Sequence, residues 1–475
     1  MKRRYDVVVI GAGPAGMAAA TTCANAGASL LLLDEQDAPG GQVYRSIEQP
    51  GLVDRDVLGP DYYKGEELVQ DLRRSQAEYV PSATVWQVSP EREIAFSVNG
   101  ASQVVSARQV ILATGAQERP FPIQGWTLPG VMNVGAAQIL LKQSGMVGEG
   151  AVFAGTGPLL YLTARQYIRA GATVTAVLDT TPISNYWRAL ARGFDGLSGW
   201  ESLRKGLQWK REIRAAGVPI VEGVTGLRVR GDRCVRGIDY CQHGRWLHLS
   251  TDHVFLHQGV VPNINLTQSM RCAHEWFPRQ LCWRVVTDAW GRTSLPGVAV
   301  AGDAADIAGA ACAPHRGVIA ALGALQQLGR ISNQDRDASA APHRRALARE
   351  ERFRRFLDQL FQPSESFLVP RGADVLVCRC EEISAGRLRE VIAIGCEGPN
   401  HLKSYTRCGM GPCQGRMCGL TVTQVLAAEL DRPPAAIGYY RLRQPIKPIG
   451  LGELAALAQV EAPAPVAFRS KVGAS

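Results

Sequence analysis

An apolar run from Tyr5 to Ile10 leads directly into Gly11-Ala-Gly13-Pro-Ala-Gly16, which opens an Ala-rich stretch through Ala20 and Ala24. This is the strand, turn, helix order of a nucleotide-binding unit. Gly11 permits the tight turn, Gly13 lets the backbone approach a pyrophosphate, and Gly16 allows close packing of helix on strand. The helix start adds free N–H groups and a positive dipole end. In a chain with 50 glycines among 475 residues the pattern alone is weak, so its surroundings carry the argument. A second strand, Ala28 to Leu33, ends in Asp34-Glu35, where a carboxylate can accept hydrogen bonds from ribose hydroxyls. Glu35 is the preferred acceptor and Asp34 the alternative.

Pro39-Gly40-Gly41-Gln42 follows, a turn whose bare glycines suit a second close approach to phosphate and ribityl groups. Here the chain resembles the two-dinucleotide-domain flavoproteins of the glutathione and thioredoxin reductase superfamily, whose acid-x4-Gly-Gly pattern is matched by Glu35, Gly40 and Gly41. Val110-Ile-Leu-Ala113-Thr114-Gly115 is similar to its strand-end motif, and Ser294 to Gly302-Asp303 to its late Gly-Asp motif. The resemblance implies FAD, with Asp303 at the ribityl and pyrophosphate groups.

The layout recurs. Val152-Phe-Ala-Gly155-Thr-Gly157-Pro-Leu-Leu160 is followed by a strand from Thr173 and then Asp179. Gly11 to Glu35 and Gly155 to Asp179 are both 24 residues apart, a signal of domain duplication. Leu160 takes the third glycine position, which should push helix from strand and spoil a pyrophosphate pocket. NAD(P), another adenine nucleotide, or a purely structural domain all remain open here. Val254 to Asn265 resembles the segment that returns the superfamily's chain to its FAD domain. A redox-active cysteine pair is missing: Gly41-Gln-Val-Tyr-Arg-Ser has no cysteine and the chain has no CxxC, which argues against disulfide reduction.

Six of the twelve cysteines fall within 41 residues, Cys378 to Cys418. They are arranged as Cys378-x-Cys380, 27 residues, then Cys408-x4-Cys413, with Cys418 beyond and Cys396 between. Four thiolates suit a [2Fe-2S] cluster, and glycines beside Cys413 free backbone N–H groups for its sulfides. Zinc and plain buried thiols are the alternatives. The chosen ligands are Cys378, Cys380, Cys408 and Cys413, with Cys418 read as a core residue starting the next helix. The other six cysteines are isolated and read as buried thiols.

The phrases Ala113-Thr-Gly-Ala-Gln-Glu-Arg-Pro120, Gly125-Trp-Thr-Leu-Pro-Gly-Val-Met132, Gly135-Ala-Ala-Gln138 and Thr406 to Gly415 resemble a narrower family. It comprises the alpha-type subunits of heteromeric amine and imino-acid dehydrogenases, among them opine oxidases, D-hydroxyproline and proline dehydrogenases, and hydrogen cyanide synthase. The last phrase is shared with the alpha chain of sarcosine oxidase. The resemblance implies that substrate is oxidised on an amino-acid-oxidase-like FAD-containing beta subunit, with a small third subunit in some complexes. FMN lies between subunits in some members. This chain would then relay electrons through FAD and [2Fe-2S] to a quinone or another carrier. The rivals are a self-contained NAD(P)H-dependent reductase and a redox-sensing or scaffold subunit. No acid-base constellation stands out; His315, after the Gly-Asp motif, reads either as a flavin neighbour or as a helix-start residue bonded to backbone.

The expected class is α/β, with two Rossmann-like domains and a small C-terminal four-cysteine domain. Residues 1–118 and 262–328 form the FAD domain, 119–261 the second, 329–370 a helical linker, 371–440 the cluster domain and 441–475 a tail. The formal net charge of +9 comes from arginines mixed with acids, as in Arg344 to Arg355 with Glu350 and Glu351, so a nucleic-acid surface is not expected. No apolar stretch approaches the roughly 20 residues of a membrane span. The run at Val7 is too short for a signal segment, which makes the expectation cytoplasmic.

Overall fold

The computed structural model describes residues 2–49, 53–191 and 193–457. The first sheet runs in the order Glu78–Val80, Leu30–Leu33, Arg4–Ile10, Ala101–Leu112, Glu93–Val98, Thr84–Val88, and Val298–Val300 also pairs with Ala101–Leu112. Arg4–Ile10 is buried on both faces and parallel to both neighbours. That explains why it is a continuous apolar run and not an alternating one. The helix Pro14–Asn25 packs between this sheet and the helix Cys312–Gln327.

The second sheet repeats the scheme with Ile220–Val221, Val174–Asp179, Ala151–Thr156, Val254–Gln258 and Val131–Asn133, all parallel. Three antiparallel strands, Val224–Gly231, Val235–Gln242 and Arg245–Ser250, cover it. The halves are joined by Ala116–Glu118 paired antiparallel with Val260–Pro262. At this junction the buried guanidinium of Arg119 donates to the carbonyls of Gln258, Leu281 and Gln280.

Within the expected linker the helix spans Asn333–Leu360, and Ser332 accepts from the Asp335 N–H and caps its start. The cysteine-rich domain holds a short pair, Leu376–Cys378 with Ile383–Ser384, and the helices Ala385–Ala393, Pro399–Thr406 and Gly419–Glu429. Its core gathers Val377, Leu388, Leu402, Val425 and Leu426, and continues into Tyr440 and Leu442. The chain then returns to the first domain, where the Ile446 N–H donates to the Trp86 carbonyl and Gln444 to that of Val88. Residues 458–475 of the expected tail lie outside the described residues. Among the described residues no helix is long and apolar enough to cross a membrane.

Candidate cofactor sites

At the first turn each glycine answers a distinct steric demand. A Cβ on Gly11 would stand 2.4 Å from the Ala113 carbonyl oxygen, and one on Gly16 would stand 1.7 Å from that of Gly11. Gly13 has nothing nearer than the Gly41 Cα at 3.9 Å, so the face over the helix start stays open. No side chain caps that helix and no acid occupies its first turn, which leaves its positive end for an anion. Gly40 donates its N–H to the Ala12 carbonyl, locking the Gly40-Gly41 turn to the first one. Gln42 is exposed, and its carbonyl accepts from buried Lys142 at 3.2 Å.

The Gly-Asp motif closes the same space. A Cβ on Gly302 would lie 2.7 Å from the Ala15 Cβ, so this turn lies against the helix start. Asp303 Oδ1 accepts from the N–H groups of Ala308 and Gly309, both at 2.9 Å. Ala113 donates its N–H to the Ile10 carbonyl, Thr114 Oγ1 to that of Asn263, and Gly115 turns at φ +65°.

The two acids after Leu33 part company. Asp34 is buried, accepts from the Ala12 N–H within the glycine turn and from the Gln36 N–H at 2.7 Å, and has Arg45 nearby. Glu35 is exposed and pairs with Lys447. The preference for Glu35 is therefore not the one the geometry favours. The registers give the reason: Ile10 pairs with Leu33, placing Asp34 opposite Gly11, and Gly155 pairs with Asp179. A register shift between Val174 and Ala176 adds one residue to the second strand. The equal spacings of 24 thus compare positions that are not equivalent.

Sequence reasoning missed Arg45. It is buried, it donates to Gln36, and its Nε has no partner among the described residues. An unpaired buried cationic donor beside Asp34 and an uncapped helix start fits a dinucleotide with a pyrophosphate, as FAD has. An arginine just after Gly-Gly-Gln-Val-Tyr was the available signal.

The second turn is different. Leu160 is fully buried, and the hydroxyl of its neighbour Tyr161 donates to Asp179, which is 1% exposed. Asp179 also accepts from the Thr181 N–H at 2.8 Å and has Lys210 Nζ at 3.9 Å. Burial first, then Asp179, pushes the Tyr161 phenol far above its ordinary range, so it remains a donor. Among the described residues the Asp34 carboxylate is held by backbone N–H groups alone, whereas Asp179 is also covered by the Tyr161 side chain. His315 Nδ1 lies 2.9 Å from that of His343 on the linker helix, a side-chain partner in place of the expected backbone one.

In the third domain the thiols of Cys378, Cys408 and Cys418 lie within 4.8 Å of one another, all buried. Cys418, expected to be only a core residue, belongs to this group. Of the chosen four, Cys378 and Cys408 are in it, while exposed Cys380 bonds to half-buried Cys413 through thiol and backbone N–H. Gly411 admits that approach, since a Cβ there would lie 2.2 Å from the Cys380 Cβ. Hydrogen bonds from the Cys408 and Cys418 thiols pull Cys378 well below the ordinary thiol range, and the same contacts push the other two up. Three thiolates this close repel one another, and a cation among them would relieve that repulsion. The donor set fits a thiolate-bound metal centre.

This cysteine loop rests on the first domain. Gln117 Nε2 donates to the Arg416 carbonyl at 3.0 Å, and Asn265 Nδ2 to that of Gln414 at 3.4 Å. Leu420 forms a small apolar cluster with Val261 and Cys282.

Residues 5–327 match the pyridine nucleotide-disulphide oxidoreductase family and residues 376–458 the sarcosine oxidase A3 domain. The opine oxidase A-type subunit of Rhizobium meliloti is 43% identical over 466 residues, 96% of this chain and 88% of that one. The HcnB subunit of hydrogen cyanide synthase from Pseudomonas protegens is 30% identical over 460 residues, 93% of this chain and 96% of that one. The crystal structure of L-proline dehydrogenase from P. horikoshii matches with a TM-score of 0.69 at 20% identity, covering 95% of this chain and 79% of that one. That last likeness is one of fold.

Proposed function

Since the chain belongs to the pyridine nucleotide-disulphide oxidoreductase family and, along nearly its whole length, to that of the opine oxidase A-type subunits, we propose that it is the electron-relaying flavoprotein subunit of a heteromeric oxidase or dehydrogenase. The complex would act on the C–N bond of an opine, imino acid or amino acid, with oxidation on an amino-acid-oxidase-like partner subunit. The observation that carries the reading is the docking of the Cys408–Cys418 loop on the strand and return segments that follow Ala113-Thr114-Gly115 and Asn263.

Bound FAD would accept electrons in pairs and release them singly, and a [2Fe-2S] cluster would carry one at a time. The chain's own groups have positioning roles. Gly13, Gly41 and the open helix start receive the pyrophosphate, Asp34 the adenosine ribose, Asp303 the ribityl side, and Arg45 offsets phosphate charge. Four of the five thiols Cys378, Cys380, Cys408, Cys413 and Cys418 would hold the iron; Cys378, Cys408 and Cys418 are buried, and Cys380 and Cys413 are more exposed. Gln117 and Asn265 fix that loop to the flavin domain. The acid-base work of substrate oxidation falls to the partner.

The test is anaerobic purification of the chain alone and with its neighbouring oxidase-like subunit. Extractable FAD, iron and acid-labile sulfide are expected in the chain, with bleaching by opines or imino acids only in the complex. Bleaching of the isolated chain by substrate, or a chain without flavin and iron, overturns the proposal. Leu160 at the third glycine position and the Tyr161 side chain on Asp179 disfavour the NAD(P)H-reductase reading; rapid bleaching by NADH or NADPH would restore it.

A further inference from the structure

Tyr440 belongs to none of the motifs above, yet it is 1% exposed and its hydroxyl lies 3.3 Å from Cys408 Sγ and 3.9 Å from Cys418 Sγ. The surrounding chain is shaped to admit it. A Cβ on Gly409, at φ +86°, would lie 2.5 Å from the Tyr440 Cζ, and one on Gly415, at φ +74°, would lie 2.6 Å from its Cδ2. Two glycines of the cysteine loop are thus required by a ring arriving from a later segment. Asn400 clamps that segment on both sides: its Nδ2 donates to the Tyr439 carbonyl and its Oδ1 accepts from the Arg441 N–H at 2.6 Å. Lys403 Nζ lies 5.0 Å from the ring centroid.

We propose that Tyr440 is a positioning residue of the cysteine centre, donating its hydroxyl hydrogen bond to the Cys408 thiolate and so setting how readily the centre takes up an electron. This rests on the reading that these thiolates hold an iron-sulfur cluster. The physical argument is one of charge. Reduction adds an electron to a buried, already negative group, and a donor aimed at a ligand sulfur stabilises the more negative state. Removing the donor while keeping the ring lowers the reduction potential. The donor bonds the sulfur in both oxidation states, so only its gain on reduction moves the potential; a gain of about tenfold in the equilibrium constant is about 59 mV for a one-electron couple.

The experiment uses the full chain with its cluster, as the parent, Tyr440→Phe, and exposed Tyr405→Phe as control. Iron and sulfide are assayed first. Potentiometric titration followed by electron paramagnetic resonance then reads the potential, and electron-nuclear double resonance after exchange into D2O reads exchangeable protons near the iron. Tyr440→Phe is expected to keep its iron, shift about tenfold toward harder reduction, and lose one exchangeable proton coupling; Tyr405→Phe is expected to match the parent. A parent without iron would sink the cluster reading itself. Iron kept with an unchanged potential, or iron lost from Tyr440→Phe alone, overturns this inference, the latter by assigning Tyr440 to folding. As a second variant, 3-fluorotyrosine placed at 440 keeps the ring and donates more strongly, so its potential should move the opposite way; no movement counts against the inference.

Discussion

Replacing Asp34 and Glu35 separately by alanine tests which acid meets the adenosine ribose. Asp34→Ala strips the acceptor from two backbone N–H groups, those of Ala12 and Gln36, inside the turn that must present a fixed surface to the pyrophosphate. A buried donor left unsatisfied costs about 1–3 kcal/mol, and lost hydrogen bonds from ribose to a carboxylate add a comparable amount. Even a loss of about 2.8 kcal/mol is a hundredfold in affinity. Glu35→Ala removes an exposed pairing with Lys447, worth about 0–1 kcal/mol, or less than roughly fivefold. The assay strips FAD from each purified variant and titrates it back, following quenching of flavin fluorescence. Asp34→Ala should weaken binding at least about a hundredfold and Glu35→Ala less than about fivefold, with Asp34→Asn between them because an amide oxygen still accepts. Equal losses, or a larger one for Glu35→Ala, would refute the assignment and the register argument behind it.

Gly41→Ala places a Cβ 2.8 Å from the Gly13 Cα at a backbone φ of +60°, a combination costing about 2–4 kcal/mol; flavin-to-protein ratio after gel filtration should fall, and a parent-like ratio would contradict the two-turn cradle. Arg119→Met leaves three junction carbonyls without their donor and should cost about 2–4 kcal/mol, seen as a lower melting temperature and faster proteolysis between the two dinucleotide-type domains. Burial, with Arg45 second, brings Lys142 down to about 7, against 10.5 for an ordinary lysine. Below about pH 7 folded and unfolded chains both hold that proton. Between there and the ordinary lysine value the unfolded chain binds more, so the parent should gain stability over Lys142→Met as pH rises through this window. Urea unfolding of both on either side of about pH 7 checks the sign. A flat difference would mean that the carbonyls of Gln42 and Val43 and the Gln138 side chain keep the ammonium charged.

The residues that announce themselves in the sequence answer local steric demands. Gly11, Gly16, Gly41 and Gly302 each stand where a Cβ would strike another backbone or a packed side chain, so the chemical identity of the residue already records the close approach. The same holds for Leu160, whose bulk at a glycine position marked the second turn as altered, and for the density of cysteines after Asp374. Tertiary structure decided what depends on register and convergence. One irregularity between Val174 and Ala176 shifts the strand ending in Asp179, makes Asp34 its counterpart and leaves Glu35 outside. Cys418 joins Cys378 and Cys408, and Tyr440 reaches them, because Leu376–Cys378 and the Pro399–Thr406 and Gly419–Glu429 helices contribute to one shared core. A glycine's requirement is set by atoms a few ångströms away along a short turn. The company a thiol or carboxylate keeps is set by how whole elements pack, and spacing along the chain does not carry that information.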